Sequence, residues 1–168
     1  VASYAKNVAD QMGTTVTAIA INIDNAEELG TYGVAKILQV GDDQLAAFNA
    51  KAYANAIAQA AEKEGSKVVV ISSSADSKYL GGLLAAKLNA GYVPNVVEAP
   101  ESTSPFMVKR TTFSNKGFAL TQMDSEVKII GVSNNAFGMI ENTTSASLEA
   151  FSPTISEADF GVKSVEVD

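Results

Sequence analysis

Apolar positions follow two rhythms along this chain, and between Lys67 and Pro94 they occur in succession. Val68, Val69, Val70 and Ile71 form an unbroken β-branched run, the pattern of a strand covered on both faces. A polar turn, Ser72-Ser73-Ser74-Ala75-Asp76-Ser77, follows. Leu80, Leu83, Leu84 and Leu88 then recur at helical spacing. Ser77 stands at the expected N-cap, and Asn89 with Gly91 marks the exit into a strand from Tyr92 to Val97. Strand, helix, strand predicts parallel pairing, with the serine turn at the carboxyl end of the first strand, where open α/β sheets usually meet ligands. The run Val68 to Ile71 is therefore expected at the centre of a sheet, fully buried.

The flanking pattern extends the same plan. Tyr4, Val8 and Met12 predict an opening helix that stops at Gly13, and Thr15 to Ile23 reads as a strand. Ala26 to Tyr32 is a short helix leading through Gly33 to a strand from Lys36 to Val40. After the turn Gly41-Asp42-Asp43, an alanine-rich helix runs to Glu64 with Tyr53, Ile57, Ala60 and Ala61 as its sheet-facing side, closed by Gly65. Beyond Pro94 the pattern changes. Pro100, Pro105 and the run Glu101-Ser102-Thr103-Ser104 mark loops. Phe106 to Phe113 and Gly117 to Met123, joined across Ser114-Asn115-Lys116, predict an antiparallel hairpin. Lys128 to Val132 is a further buried strand, and the tail has two extended pieces, Ser147 to Phe151 and Phe160 to Val167. The fold class is α/β: a mainly parallel sheet with helices on both faces and one antiparallel hairpin.

At 168 residues the chain fits one domain, 1–168. It has no apolar run of membrane-spanning length. A net charge of −7 and a single arginine, Arg110, argue against nucleic acid. Without His or Cys there is no imidazole base, thiolate, disulfide or zinc site, which fits a reducing compartment. The helical pattern begins at Val1 itself, with no Met and no visible cap, as though the chain were cut into.

Candidate chemistry is sparse, and no catalytic residue is assigned. Ser72, Ser73, Ser74, Asp76, Ser77 and Lys78 form the one candidate binding loop: N–H groups at a helix start, flanked by hydroxyls, could hold the phosphates of AMP or ATP. The loop is similar to the Ser-Gly-Gly-x-Asp-Ser loop of enzymes that split ATP to AMP and pyrophosphate, with serines where that loop has its glycines. The same residues also suit plain capping, with Asp76 complementing the helix dipole. A Ser–Lys hydrolase is rejected, because Ser77 and its neighbour Lys78 point in different directions on a helix. Gly81-Gly82 implies close packing or close approach of a ligand. Lys109, Arg110 and Lys116 form the one basic cluster, and Ser133-Asn134-Asn135 ends a strand.

Taken in order, the chain resembles the N-terminal domain of the electron transfer flavoprotein alpha subunit. The stretch Glu28-Leu29-Gly30-Thr31-Tyr32-Gly33-Val34-Ala35-Lys36-Ile37-Leu38 is similar to that family's approach to its next strand. Tyr53 to Val70 matches its alanine-rich helix and following strand, Ser72 to Pro94 its loop, helix and exit, and Phe113 to Thr121 a later turn. Lys128 to Phe137 closes on Asn135-Ala136-Phe137, as the family does. Ser133 and Asn134 stand where the family commonly has arginine and proline, and Asp76 and Ser77 where its loop often has arginine and glycine. A first strand ahead of the opening helix is also absent. The resemblance implies a Rossmann-like domain of the adenine-nucleotide-hydrolase type that scaffolds a heterodimer with a beta subunit. It implies an electron carrier rather than an enzyme, taking electrons from dehydrogenases through FAD. The FAD is held by a C-terminal domain that these residues lack, so none is expected in this chain alone. It implies a cytoplasmic location, or the mitochondrial matrix in a eukaryote. No FAD-binding residue and no metal site carries over.

Overall fold

The computed structural model describes residues 1–162. Helix α1 (Ala2–Met12) buries Tyr4, Val8 and Ala9, and Gly13 closes it in the left-handed conformation at φ 66°. Strand β1 (Val16–Ile21) follows, then a 3-10 turn over Ala26–Tyr32 and strand β2 (Val34–Val40). Helix α2 (Ala50–Glu64) starts where the Asn49 side chain accepts from the N–H groups of Lys51 and Ala52, and ends at left-handed Gly65. Strand β3 (Val68–Ser72), helix α3 (Ala75–Leu88) and strand β4 (Gly91–Val96) make the expected βαβ unit. After them come β5 (Ser102–Thr103), the hairpin β6 (Phe106–Thr112) and β7 (Gly117–Gln122), β8 (Lys128–Val132) and β9 (Ser147–Ala150). The fold is α/β, as the pattern predicts, and Rossmann-like, as the resemblance implies.

The strands form two sheets among the described residues. The smaller is parallel, in the order β1-β2-β9; the larger runs β3-β8-β4-β6-β5, with β7 paired to β6. Strand β8 lies between β3 and β4, parallel to both, so the two strands of the βαβ unit are not neighbours. The hairpin is antiparallel from Met107↔Gln122 to Thr112↔Gly117.

Three expectations are corrected. The run Val68 to Ile71 is not central: among the described residues β3 is an edge strand that pairs only with β8, and only Ile71 is buried, with Val68, Val69 and Val70 half-covered. A two-sided apolar strand records cover from above and below; it carries no record of whether a neighbour lies on each side. In α2 the buried residues are Ala52, Ala54, Ala56, Ala58 and Ala60, while Tyr53, Ile57 and Ala61 are half-buried. This helix packs on α3 along one side and on the tail along another, and alanine, with no bulk to place, cannot mark a single face. Finally, the extended piece from Phe160 to Val167 begins instead as a 3-10 turn, Glu157–Phe160, and its residues 163–167 lie outside those described.

The tail is fastened by polar contacts that no motif announced. Asp159 is buried, and its carboxylate accepts from the Ser156 N–H (2.9 Å), the Ser156 hydroxyl (2.8 Å) and the Asn55 amide (3.0 Å). The Ser156 backbone bond foremost holds this carboxyl below the usual aspartate range, against the opposing effect of burial. Strand β9 is held to the sheet and to α2 by a chain of charges: Lys36 bridges Glu64 (2.7 Å) and Glu149 (2.8 Å), and Lys63 reaches Glu149 (2.7 Å). Hydrogen bonds from Lys36 and then Lys63 bring Glu149 down to about 2.

A depressed carboxylate stabilises the fold above its unfolded value, 4.5 here, and that contribution disappears as pH falls toward about 2. The raised Lys36 ammonium acts in the opposite sense, contributing fully below 10.5 and losing its contribution as pH rises beyond that. Glu149→Gln is therefore expected to flatten the acid limb of stability between pH 4.5 and 2 by lowering the neutral plateau toward the value at pH 2, and the drop is modest because Lys36, Lys63 and Glu149 are partly exposed to solvent. Urea midpoints across that range test it; an acid limb as steep as in the unaltered chain refutes the assignment.

Candidate functional site

The carboxyl ends of β3, β8 and β4 converge, and the serine turn sits on them. The Ser73 N–H donates to the Val132 carbonyl (2.8 Å), the Ser133 N–H to the Val96 carbonyl (2.8 Å), and the Ser73 hydroxyl accepts from the Asn95 N–H (2.9 Å). Asn95 holds a left-handed φ of 60°, which a residue with a short polar side chain tolerates. Gly131 makes room for this arrangement: a Cβ there would stand 2.8 Å from the Ser73 hydroxyl oxygen and 3.2 Å from the Pro94 Cα.

Among the candidate binding residues, three hydroxyls come together. Ser72 Oγ lies 2.7 Å from Ser77 Oγ and 3.3 Å from Ser74 Oγ, and Ser74 Oγ lies 2.8 Å from Ser77 Oγ. The N-cap is Ser74, not Ser77. Its side chain accepts from the Ser77 N–H, which places Asp76, Ser77 and Lys78 within the first turn of α3. The capping pattern in a run of serines is degenerate, and the helix takes the residue whose N–H partner lies three positions on. Ser77 is buried, whereas Asp76 and Lys78 are exposed. Ser73 is spent on Asn95. The loop thus unites Ser72, Ser74 and Ser77 in a mutually bonded knot and leaves Asp76 and Lys78 facing solvent.

The two helical glycines separate cleanly. A Cβ on Gly81 would lie 2.6 Å from Tyr92 Cε1 and 2.7 Å from its hydroxyl, whereas one on Gly82 meets nothing within 4 Å. Gly81 is a packing glycine against β4, and Gly82 is not. Gly82→Ala is expected to stabilise by about 0.5–1 kcal/mol through helix propensity alone. Gly81→Ala is expected to destabilise on balance, because overpacking costs about 1–3 kcal/mol. Tyr92→Ala in the same chain should turn the Gly81→Ala change favourable. Urea midpoints of the three variants decide it, and a Gly81→Ala chain as stable as Gly82→Ala would overturn the packing role.

The basic cluster does not converge. Lys109 pairs with Glu98 (2.6 Å) and lies 4.9 Å from the centre of the Phe118 ring, and Lys116 is exposed in the hairpin turn. Arg110 stands apart from both, beside Asn95 in an open cavity of 440 Å³ lined also by Thr111, Thr112 and Phe113-Ser114-Asn115. Phe113, Ser114 and Asn115 all hold left-handed φ values, so the turn is wound tightly without glycine. Asn95, Gly131 and Tyr92 were not singled out by motif. The signal available for Gly131 was a lone glycine in an apolar strand, the mark of a close backbone approach. No group of His, Cys, Asp and Glu among the described residues is placed to hold a metal, and no helix is long and apolar enough to cross a membrane.

An α/β unit with a serine-capped helix has its counterpart among known proteins. The family model for the electron transfer flavoprotein domain matches residues 1–159. The chain belongs to the electron transfer flavoprotein domain family. It is 28% identical over 93 residues to the electron transfer flavoprotein subunit alpha of Bacillus subtilis (strain 168), a match covering 55% of this chain and 29% of that protein's length. The family resemblance drawn from Glu28 to Phe137 is thereby borne out at the level of the electron transfer flavoprotein domain.

Proposed function

We propose that this chain is the scaffolding part of an electron transfer flavoprotein alpha subunit. In that reading the intact protein carries electrons from dehydrogenases through FAD, and a beta subunit is its partner. The observation that supports it most is the family match running almost end to end, 1–159. The flavin is held outside these residues, and the chain alone is colourless. The hairpin is the candidate partner surface. Phe113 and Phe118 are exposed on it, with Leu120 in the outward row of β7, which among the described residues has β6 as its one neighbour. Other aromatic and methionine candidates divide. Phe106 is buried, Met107 and Phe137 are half-buried, and Met139 is exposed.

The test is to mix the purified chain with a beta subunit and follow backbone amide exchange and visible absorbance. Slowed exchange over residues 113–122 and no flavin absorbance in the chain alone are expected. Stoichiometric flavin in the isolated chain would refute the scaffold reading, and unchanged exchange would displace the interface. The nucleotide reading of Ser72 to Lys78 is separated by AMP and ATP titration calorimetry: micromolar binding lost in Asp76→Ala would favour it over a purely structural loop.

A further inference from the structure

Arg110 is the single arginine of a chain with a net charge of −7, and among the described residues it has no ion-pair or hydrogen-bond partner. A guanidinium carries its donors in a fixed fork that matches the oxygens of an oxyanion. The strand places this one beside open space. Arg110 and Thr112 lie two apart on β6 and so share a face. Their register partners across the hairpin are Ala119 and Gly117, the two smallest residues of β7. A Cβ on Gly117 would stand 3.3 Å from Thr112 Oγ1, so the Thr112 hydroxyl lies on the side where β7 has no bulk. Arg110 and Thr112 both line the 440 Å³ cavity, and Asn95 joins them from near the end of β4.

The turn adds donors of a second kind. Phe113, Ser114 and Asn115 have φ values of 50°, 53° and 66°, so the chain makes one left-handed turn there. The Lys116 N–H closes it, donating to the carbonyls of Thr112 (3.1 Å) and Phe113 (3.1 Å). In a helical turn the N–H groups ahead of the closing one run side by side, and those of Phe113, Ser114 and Asn115 have no acceptor among the described residues. All three residues line the same cavity as Arg110, and no carboxylate does.

We propose that the cavity between Arg110 and the turn of the hairpin binds the phosphate group of a small phosphate monoester. The donor set decides between oxyanions. A carboxylate has two oxygens, whereas a phosphate monoester presents three, enough for the guanidinium fork, the turn N–H groups and the Thr112 hydroxyl together. The cavity is larger than a phosphate, so it has room for part of the esterified group. A polyanion is disfavoured by the charge of the whole chain. The Asn95 N–H donates to Ser73 Oγ at 2.9 Å, so the cavity and the serine turn are neighbours, but they share no donor to the ligand. The assignment depends neither on the scaffold reading nor on nucleotide binding by Ser72 to Lys78.

The probes are methyl phosphate, acetate and a short phosphoserine peptide, each titrated into the 168-residue chain at constant ionic strength, with amide NMR shifts as the readout. Saturable shifts at Phe113, Ser114 and Asn115 with methyl phosphate are the expected result. Acetate should bind about tenfold more weakly or worse, and Arg110→Gln should weaken methyl phosphate by about tenfold or more while the spectrum away from the hairpin stays unchanged. Arg110→Lys, which keeps the charge and loses the fork, is the second variant, and it too should bind more weakly. Shifts that do not saturate, or methyl phosphate binding as tight in both Arg110 variants as in the unaltered chain, would overturn the site. Equal weakening by Lys109→Gln would overturn it as well, since surface charge alone would then account for the binding. Acetate bound as tightly as methyl phosphate would overturn the phosphate assignment. The phosphopeptide bound about tenfold more tightly than methyl phosphate would overturn the small-molecule source. Shifts centred on Ser73 to Ser77 and lost in Lys78→Gln would move the anion to the serine turn and overturn the hairpin cavity.

Discussion

Tyr4→Ala is expected to cost about 3–5 kcal/mol, whereas Tyr4→Phe should be neutral or gain about 1 kcal/mol. Tyr4 is fully buried where α1 crosses the larger sheet, packed with Val93, Val96, Val108 and Ile130. Its ring meets Phe137 edge to face at 5.3 Å. Truncation would empty the space under α1 and leave Phe137 without its partner. The hydroxyl has no hydrogen-bond partner among the described residues, so removing it relieves a desolvated polar group while keeping the ring. Burial raises the Tyr4 phenol above its ordinary 10.0. The folded chain thus keeps its proton where the unfolded chain has lost it, and stability declines as pH rises above about 10. Tyr4→Phe should soften that alkaline decline. Urea unfolding at pH 7 and pH 10.5 tests both statements, and a Phe variant less stable than the tyrosine chain by 1 kcal/mol or more would show that the hydroxyl has a partner after all.

How much was legible beforehand follows from what each signal records. Gly13 and Gly65 were readable as helix ends because only a left-handed closing residue satisfies the last carbonyls there, and both adopt it. The hairpin was readable because its strands flank a polar turn at a fixed offset. The serine loop was readable as a turn at the carboxyl end of β3, but not as a closed knot. Mutual hydrogen bonding of Ser72, Ser74 and Ser77 depends on how the first turn of α3 is phased, and four serines in six positions leave that phase open. The tail was least legible. Asp159 with Asn55, and Glu149 with Lys36, join residues about a hundred positions apart, and no local spacing carries such a contact.

Strand order was the other blind spot, and it has a measurable consequence in the paired substitutions Ile129→Ala and Val69→Ala. The two residues are register partners across β3 and β8, and their side chains join the same cluster against α2 and α3. Ile129 is fully buried, with strands on both sides of it; Val69 is half-covered on a strand with a neighbour on one side. Ile129→Ala is expected to cost about 2–5 kcal/mol, since the cavity it leaves is closed by sheet and helices and cannot collapse. Val69→Ala should cost only about 1 kcal/mol, because fewer methylenes are removed and part of their surface already faces an open groove. Equal costs in the 168-residue chain would mean that β3 is flanked on both sides in solution.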